Sequence, residues 1–314
     1  MRARVAAIVS AVTSAALLSP LVLATPGSAA GGPAVVAVIK AHASGPCGVV
    51  EAYGQIWVTD IYSGEITTID PKQNTTSGPN IRIGGKPCGI VAGGGSLWVN
   101  GYGTNSVDRV DPVRRKLVDR IAVGPSPYDV AYGYGAVWTT NNGDETVDRI
   151  DPRTDRVTKT IYVASPPTGL SITGGYVWVG ANQDSFVYRI DPKTNRATKI
   201  DVHHTSPAWF AATATQLWVA SNVDDVALQL DPHTGAVLAT VEVGSFPQDG
   251  TITPDGKVWI PNLSDNTVSE IDPSTKKVVA TIAVGPKPFV LNAGGGSVWV
   301  PSYGGSDVRR VSPG

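Results

Sequence analysis

Two cysteines and four histidines bound the chemistry open to this chain. Cys47 and Cys88 occupy matching units, "GPCGVV" and "KPCGIV", with a sequence separation of 41. Such a pair can be a disulfide, two free thiols or half of a soft-metal site. His203-His204 could supply a general base or a metal ligand, with Asp129 or Asp249 as its carboxylate partner. No third ligand stands at a recognisable spacing, so no metal site is expected. His42 is isolated, and His233 falls in an Asp-Pro turn, where solvation is the simpler expectation. The chain has no Gly-x-Ser-x-Gly and no Cys/His nucleophile arrangement. The glycine-rich "AGGGS" at 92–96 and 293–297 links strands with no helix following, so it lacks the helix N-terminus a phosphate cradle uses.

What must position these groups is a repeat. Trp57, Trp98, Trp138, Trp178, Trp218, Trp259 and Trp299 recur every 40 or 41 residues. An Asp-Pro follows six of them at a fixed offset, at Asp70, Asp111, Asp151, Asp191, Asp231 and Asp272; the seventh unit reads Ser312-Pro313. A proline precedes each Trp, at Pro46, Pro87, Pro127, Pro167, Pro207, Pro247 and Pro288. Within a unit, "YDVAY", "AVWTT", "TVDRID" and "RVTKTIYV" are short β-rich runs separated by Gly, Asn and Asp-Pro turns. In each Asp-Pro the carboxylate can cap the turn while proline presets φ. Short strands at this period read as propeller blades. The expected fold is all-β, a seven-bladed β-propeller of four-stranded antiparallel blades. A Trp in every second strand fits blade-to-blade packing, worth at most about 5 kcal/mol each from buried area. A structural role therefore outweighs a functional one for the series.

The termini complete the count. The seventh unit stops at "RRVSPG" after its third strand, and "PAVVAVIKAHAS" at 33–44 supplies the missing fourth. Ala34–Lys40 is expected to pair beside Asp307–Val311, closing the ring and removing a sheet edge. Residues 1–30 read as a signal peptide, with Arg2 and Arg4, an apolar run from Val5 to Ala24, and small residues up to a cleavage near Ala30. Residues 31–314 then form a single domain that is secreted or extracytoplasmic, a setting in which two cysteines pair. The charge of −1 comes without any Lys/Arg block, which speaks against nucleic acid and anionic membrane surfaces. No membrane span and no lipid anchor are expected.

"LWVNGYGTNSVDRVDPVRRKLVDRIAVGPSPYDVA" and "VWIPNLSDNTVSEIDPSTKKVVATIAVGPKPFVL" resemble the repeat unit of the YVTN-repeat β-propellers along the whole mature chain. That resemblance implies the same fold and leaves function open. The blades are also similar to those of streptogramin B lyases. That likeness would imply Mg²⁺, a catalytic histidine and a Glu-x-His pair. No histidine here belongs to a Glu-x-His, and no acid follows the second-strand aromatic at the expected place.

The register of the repeat then points to a site. After the recurring proline stand Cys47, Cys88, Tyr128, Thr168, Ala208, Gln248 and Phe289; one further on are Gly48, Gly89, Asp129, Gly169, Trp209, Asp249 and Val290. These positions vary where the Trp and Asp-Pro positions do not, and they converge on the central channel. Tyr128, Trp209 and Phe289 are expected as an apolar wall, with Asp129, Gln248 and Asp249 as polar anchors. As equivalents in adjacent blades, Cys47 and Cys88 are expected to be disulfide-bonded. Asp108-Arg109 and Asp148-Arg149 are expected to pair between blades, one blade's Asp with the next blade's Arg. The leading functional expectation is a monomeric, non-catalytic secreted module binding a protein, glycan or small molecule at the channel mouth, without cofactor. The enzymatic alternative is a lyase or hydrolase at that mouth, with Mg²⁺ only in the lyase case. A cell-envelope structural protein is the third.

Overall fold

The computed structural model describes residues 31–41 and 44–314; the signal-peptide expectation and His42 lie outside the described residues. Gly32–Gly314 forms one compact unit of seven antiparallel sheets, and no helix occurs among the described residues. In blade three the strands run outward from the channel as Pro127–Gly133, Ala136–Asn141, Thr146–Asp151 and Arg156–Tyr162. The other blades repeat this order. Blade one departs at its rim, where "SGPN" splits the fourth strand into Thr75–Thr76 and Ile81–Arg82. Proline and glycine there cannot hold a continuous ladder.

The ring closes as the sequence implies. Ala34–Lys40 pairs antiparallel with Asp307–Ser312, from Ala34 opposite Ser312 to Lys40 opposite Asp307. One sheet thus contains both ends of the described propeller, and the N-terminal strand covers the outer edge of Asp307–Ser312.

Each series Trp is 0–1% exposed and packs against the blade that follows. Trp138 lies among Val177, Val179 and Ile190; Trp218 among Val258, Ile260 and Ile271; Trp299 among Ile56, Val58 and Ile69. The indole therefore fills the wedge between blades. A guanidinium covers the outer side of several: Arg109 over Trp98 at 5.3 Å, Arg149 over Trp138 at 5.1 Å and Arg310 over Trp299 at 5.5 Å. Each also donates into the next Asp-Pro turn, Arg109 to Pro152 O and Asp155, Arg149 to Pro192 O and Asn195, Arg310 to Pro71 O and Asn74.

This corrects the expected inter-blade Asp–Arg pairing. Asp108 stays in its own blade, in a 2.7 Å ion pair with Arg120, and Asp148 accepts from Asn141 and Thr160 of its own blade. Alternation along the third strand sends the two side chains to opposite faces, and the arginine reaches a turn before it can reach the next third strand. The Asp-Pro turns themselves form as expected. Asp111 Oδ1 accepts from the N–H groups of Val113 and Arg114, both at 2.9 Å, and Asp231 Oδ1 from those of His233 and Thr234.

Candidate functional site

Where the inner strand enters the ring, the ladder slips. In blades one to four the register shifts between the recurring proline and the third residue after it, as between Pro46 and Val49, Pro87 and Ile90, and Pro127 and Val130. In blade five the shift falls between Pro207 and Trp209. The residues inside each slip leave the cross-strand pattern, so their side chains can be aimed without disturbing the sheet. Those are the variable positions.

In blades six and seven the same segment hardly pairs with its own sheet. Its inner strands shrink to Thr251–Ile252 and Asn292–Gly294. The backbone bonds sideways instead: Asp249 N donates to Phe289 O, Leu291 N to Asp249 O and Gly250 N to Phe210 O. Three consecutive inner segments are thereby tied around the channel.

On the other side of the mouth the tie is covalent. Cys47 and Cys88 form a disulfide with Cα atoms 5.1 Å apart. Gly48 permits this approach, since a Cβ there would fall 1.9 Å from Cys88 O; a Cβ at Gly89 would instead fall 2.9 Å from Asn100 Oδ1 and 3.1 Å from Asp129 Oδ1. Between the two strands, Gly48 N donates to Thr59 Oγ1 at 2.9 Å, and that hydroxyl donates on to Cys88 O at 2.6 Å.

The expected apolar wall is one continuous row of rings. Tyr128 meets Trp209 at 5.6 Å between centroids, and Trp209 meets Phe289 edge-on at 5.1 Å. Tyr102 extends the row from Tyr128, and Tyr303 then Tyr62 extend it from Phe289. Trp209 is only 4% exposed, so the centre of the row is a plug. Tyr128, Trp209 and Phe289 border the channel cavity of about 320 Å³ beneath them. Above, Tyr128 and Phe289 border two separate mouth pockets, of about 370 Å³ and about 250 Å³.

This plug divides the expected polar anchors. Gln248, 1% exposed, lines the smaller mouth pocket. Asp129 and Asp249 line the channel beneath. Both aspartates are half-buried on the lumen wall. Burial raises Asp129 to about 6, against the N–H groups of Leu170 and Val130, each 2.7 Å from its carboxylate. Asp249 is held well above the usual carboxylate range, first by burial and then by the charge of Asp129. Burial also raises the Tyr128 phenol, with a smaller contribution from Tyr102.

The histidines lie apart from these carboxylates. His203 projects outward with its side chain 83% exposed, beside Asp201. His204 Nδ1 is 3.0 Å from Asp224 Oδ2, which also accepts from Thr205 N. Neither histidine lines the channel cavity or either mouth pocket. His233 is exposed on its turn, near Gly174 O. Among the described residues no group of three His, Cys, Asp or Glu side chains could hold a metal ion.

A second set of mouth residues escaped the proline register. Four positions after each series Trp, in the turn between second and third strands, stand Ile61, Tyr102, Asn142, Asn182, Asn222, Leu263 and Tyr303. Blades six, seven, one and two carry apolar or aromatic side chains there, and blades three, four and five carry asparagine. The larger mouth pocket is lined by Ile61, Tyr102, Leu263 and Tyr303 over the disulfide. The smaller is lined by Asn182, Gln183, Asn222, Thr168, Ser206 and Gln248. Counting from the Trp rather than from the proline would have found this division in the sequence.

No family model matches the chain, and no curated protein matches it in sequence. Its fold is that of several solved β-propellers. A streptogramin B lyase structure superposes with a TM-score of 0.76 at 15% identity, covering 86% of this chain and 94% of that one. A virginiamycin B lyase from Staphylococcus aureus gives 0.75 at 14%, covering 86% and 95%. The WD40 β-propeller domain of Doa1 gives 0.78 at 15%, covering 90% and 98%. At such identities the likeness is one of fold. The class is thus a seven-bladed β-propeller with a plugged channel and a divided mouth. No helix among the described residues is long and apolar enough to cross a membrane.

Proposed function

We propose that this chain is an extracytoplasmic binding module that holds its ligand at the channel mouth without acting on it chemically. The observation that carries the reading is the row of six rings at the mouth, from Tyr102 to Tyr62, which closes the channel and forms the floor between two pockets. Concave sites with aromatic walls and a few convergent polar groups are the usual form of a ligand site. The disulfide and the expected leader support an extracytoplasmic setting.

The lyase reading draws on the fold likeness and on the His204–Asp224 pair. Proton transfer needs the base within reach of the substrate, and that pair borders neither pocket. The envelope role has no feature of its own at the mouth.

A thermal-shift screen of small molecules, peptides and glycans, repeated with divalent metals and with chelator, tests the proposal. Hits should stabilise the wild type, lose that effect in Phe289→Ala, keep it in His204→Ala and come back chemically unchanged. Turnover of a hit that is abolished in His204→Ala would replace this reading with the enzymatic one.

A further inference from the structure

We infer that the ligand of this mouth is a neutral saccharide lying across both pockets, its ring faces on the tyrosines and its hydroxyls on the carboxamides. The inference deepens the mouth-binding reading and rests on it. Neither pocket is lined by a single charged side chain, in a chain where 16% of residues are charged. A phosphate, a polyanion or a charged peptide side chain would find no counter-ion there. Asp129 and Asp249 line the cavity under the aromatic plug, and the buried Asp60 is engaged by Ser44 N and the N–H groups of Tyr62 and Ser63.

The polar half is built to meet donors and acceptors. Asn222 is 8% exposed and borders the pocket, and its carboxamide has no partner among the described residues. The carboxamides of Asn182 and Gln183 are likewise unpartnered among the described residues, whereas Asn142 donates to Pro167 O at 3.1 Å. A wholly apolar ligand would bury these amides without hydrogen bonds, which is unfavourable. A wholly hydrophilic one would leave the Tyr102, Tyr128, Phe289 and Tyr303 side unused. A pyranose presents both surfaces, C–H groups on its faces and hydroxyls around its edge, with no charge. Two small pockets astride one aromatic ridge suit consecutive rings of a short oligosaccharide better than a folded partner.

The test is isothermal titration of the mature protein with a panel of short neutral oligosaccharides, a uronate oligomer and an uncharged apolar peptide. The wild type should bind a neutral oligosaccharide with an affinity insensitive to salt. Gln183→Ala and Asn222→Ala should each weaken it roughly tenfold, and Tyr303→Ala by at least as much. Gln183 is exposed, so its variant keeps the fold, and circular dichroism melts check the other two. No binding by any neutral oligosaccharide at millimolar concentration overturns the inference, as does salt-dependent binding of the uronate. Binding of the apolar peptide that Tyr303→Ala abolishes and Asn222→Ala spares overturns the saccharide and leaves the mouth reading standing. Saccharide binding indifferent to all three substitutions overturns both.

Discussion

The two faces of this ring are made from one repeat and behave differently. On the face of the Asp-Pro turns, most blades share their residues. An aspartate caps its own turn in six blades, and from blades two, three and seven an arginine sits on its Trp and donates into the next turn. On the mouth face the equivalent positions change character from one sector of the ring to another, as from the asparagines of blades three to five to the apolar and aromatic residues of the other four. There the slipped register frees residues from the ladder, and the turn after the second strand is held by its backbone, as where Asn142 N donates to Ser126 O and Tyr303 N to Lys287 O, which leaves the side chains unconstrained. The difference teaches that a position repeats where the fold uses it for packing or capping, and diverges where the scaffold holds the backbone without it.

Substitutions sharpen that contrast, because the constant positions should cost stability and the divergent ones binding. Trp138→Ala should have the largest effect. It empties a 0%-exposed wedge, and about 3–5 kcal/mol of unfolding free energy should go, read from urea melts. The disulfide belongs to the mouth by location and to the fold by effect. Cys47→Ser with Cys88→Ser should lower stability by about 2–4 kcal/mol. An unchanged melt would mean that Gly48, Thr59 and Cys88 already hold the two strands together.

Asp249→Asn should act with the opposite sign. A carboxyl whose proton is held more tightly in the folded chain favours folding at low pH. The contribution of Asp129 and Asp249 is complete below about pH 4 and is lost as pH rises through about 6 and beyond. Removing one carboxylate should therefore stabilise the protein at pH 8 and flatten its stability as pH rises through about 6. Melts of the two proteins across that range check it. Asp151→Ala should show the smallest effect. It removes one capped turn of six, with a small loss of stability in urea melts and no change at the mouth.

Much of this was legible in the sequence, and what was not has a physical reason. The Trp spacing gave seven blades, the truncated last unit gave the closing strand, and the matched Pro-Cys-Gly units gave the disulfide. Each rests on a residue type that only one environment tolerates in all copies. The row formed by Tyr128, Trp209 and Phe289 followed from the register as well. The depth of Asp129 and Asp249 did not, because one residue of slip decides whether a side chain points above or below the plug. The Asp108–Arg109 expectation failed for a related reason: alternation along a strand states which face a side chain takes, not which neighbour is closest.

The account rests on the mouth being the surface that binds while the repeat positions hold the fold. Its most direct test is the affinity of the tightest ligand from the titration panel for Tyr303→Ala, measured with that variant's stability. The expected result is an affinity at least roughly tenfold weaker, with unfolding free energy within about 0.5 kcal/mol of wild type. Unchanged affinity in a protein of unchanged stability would contradict it.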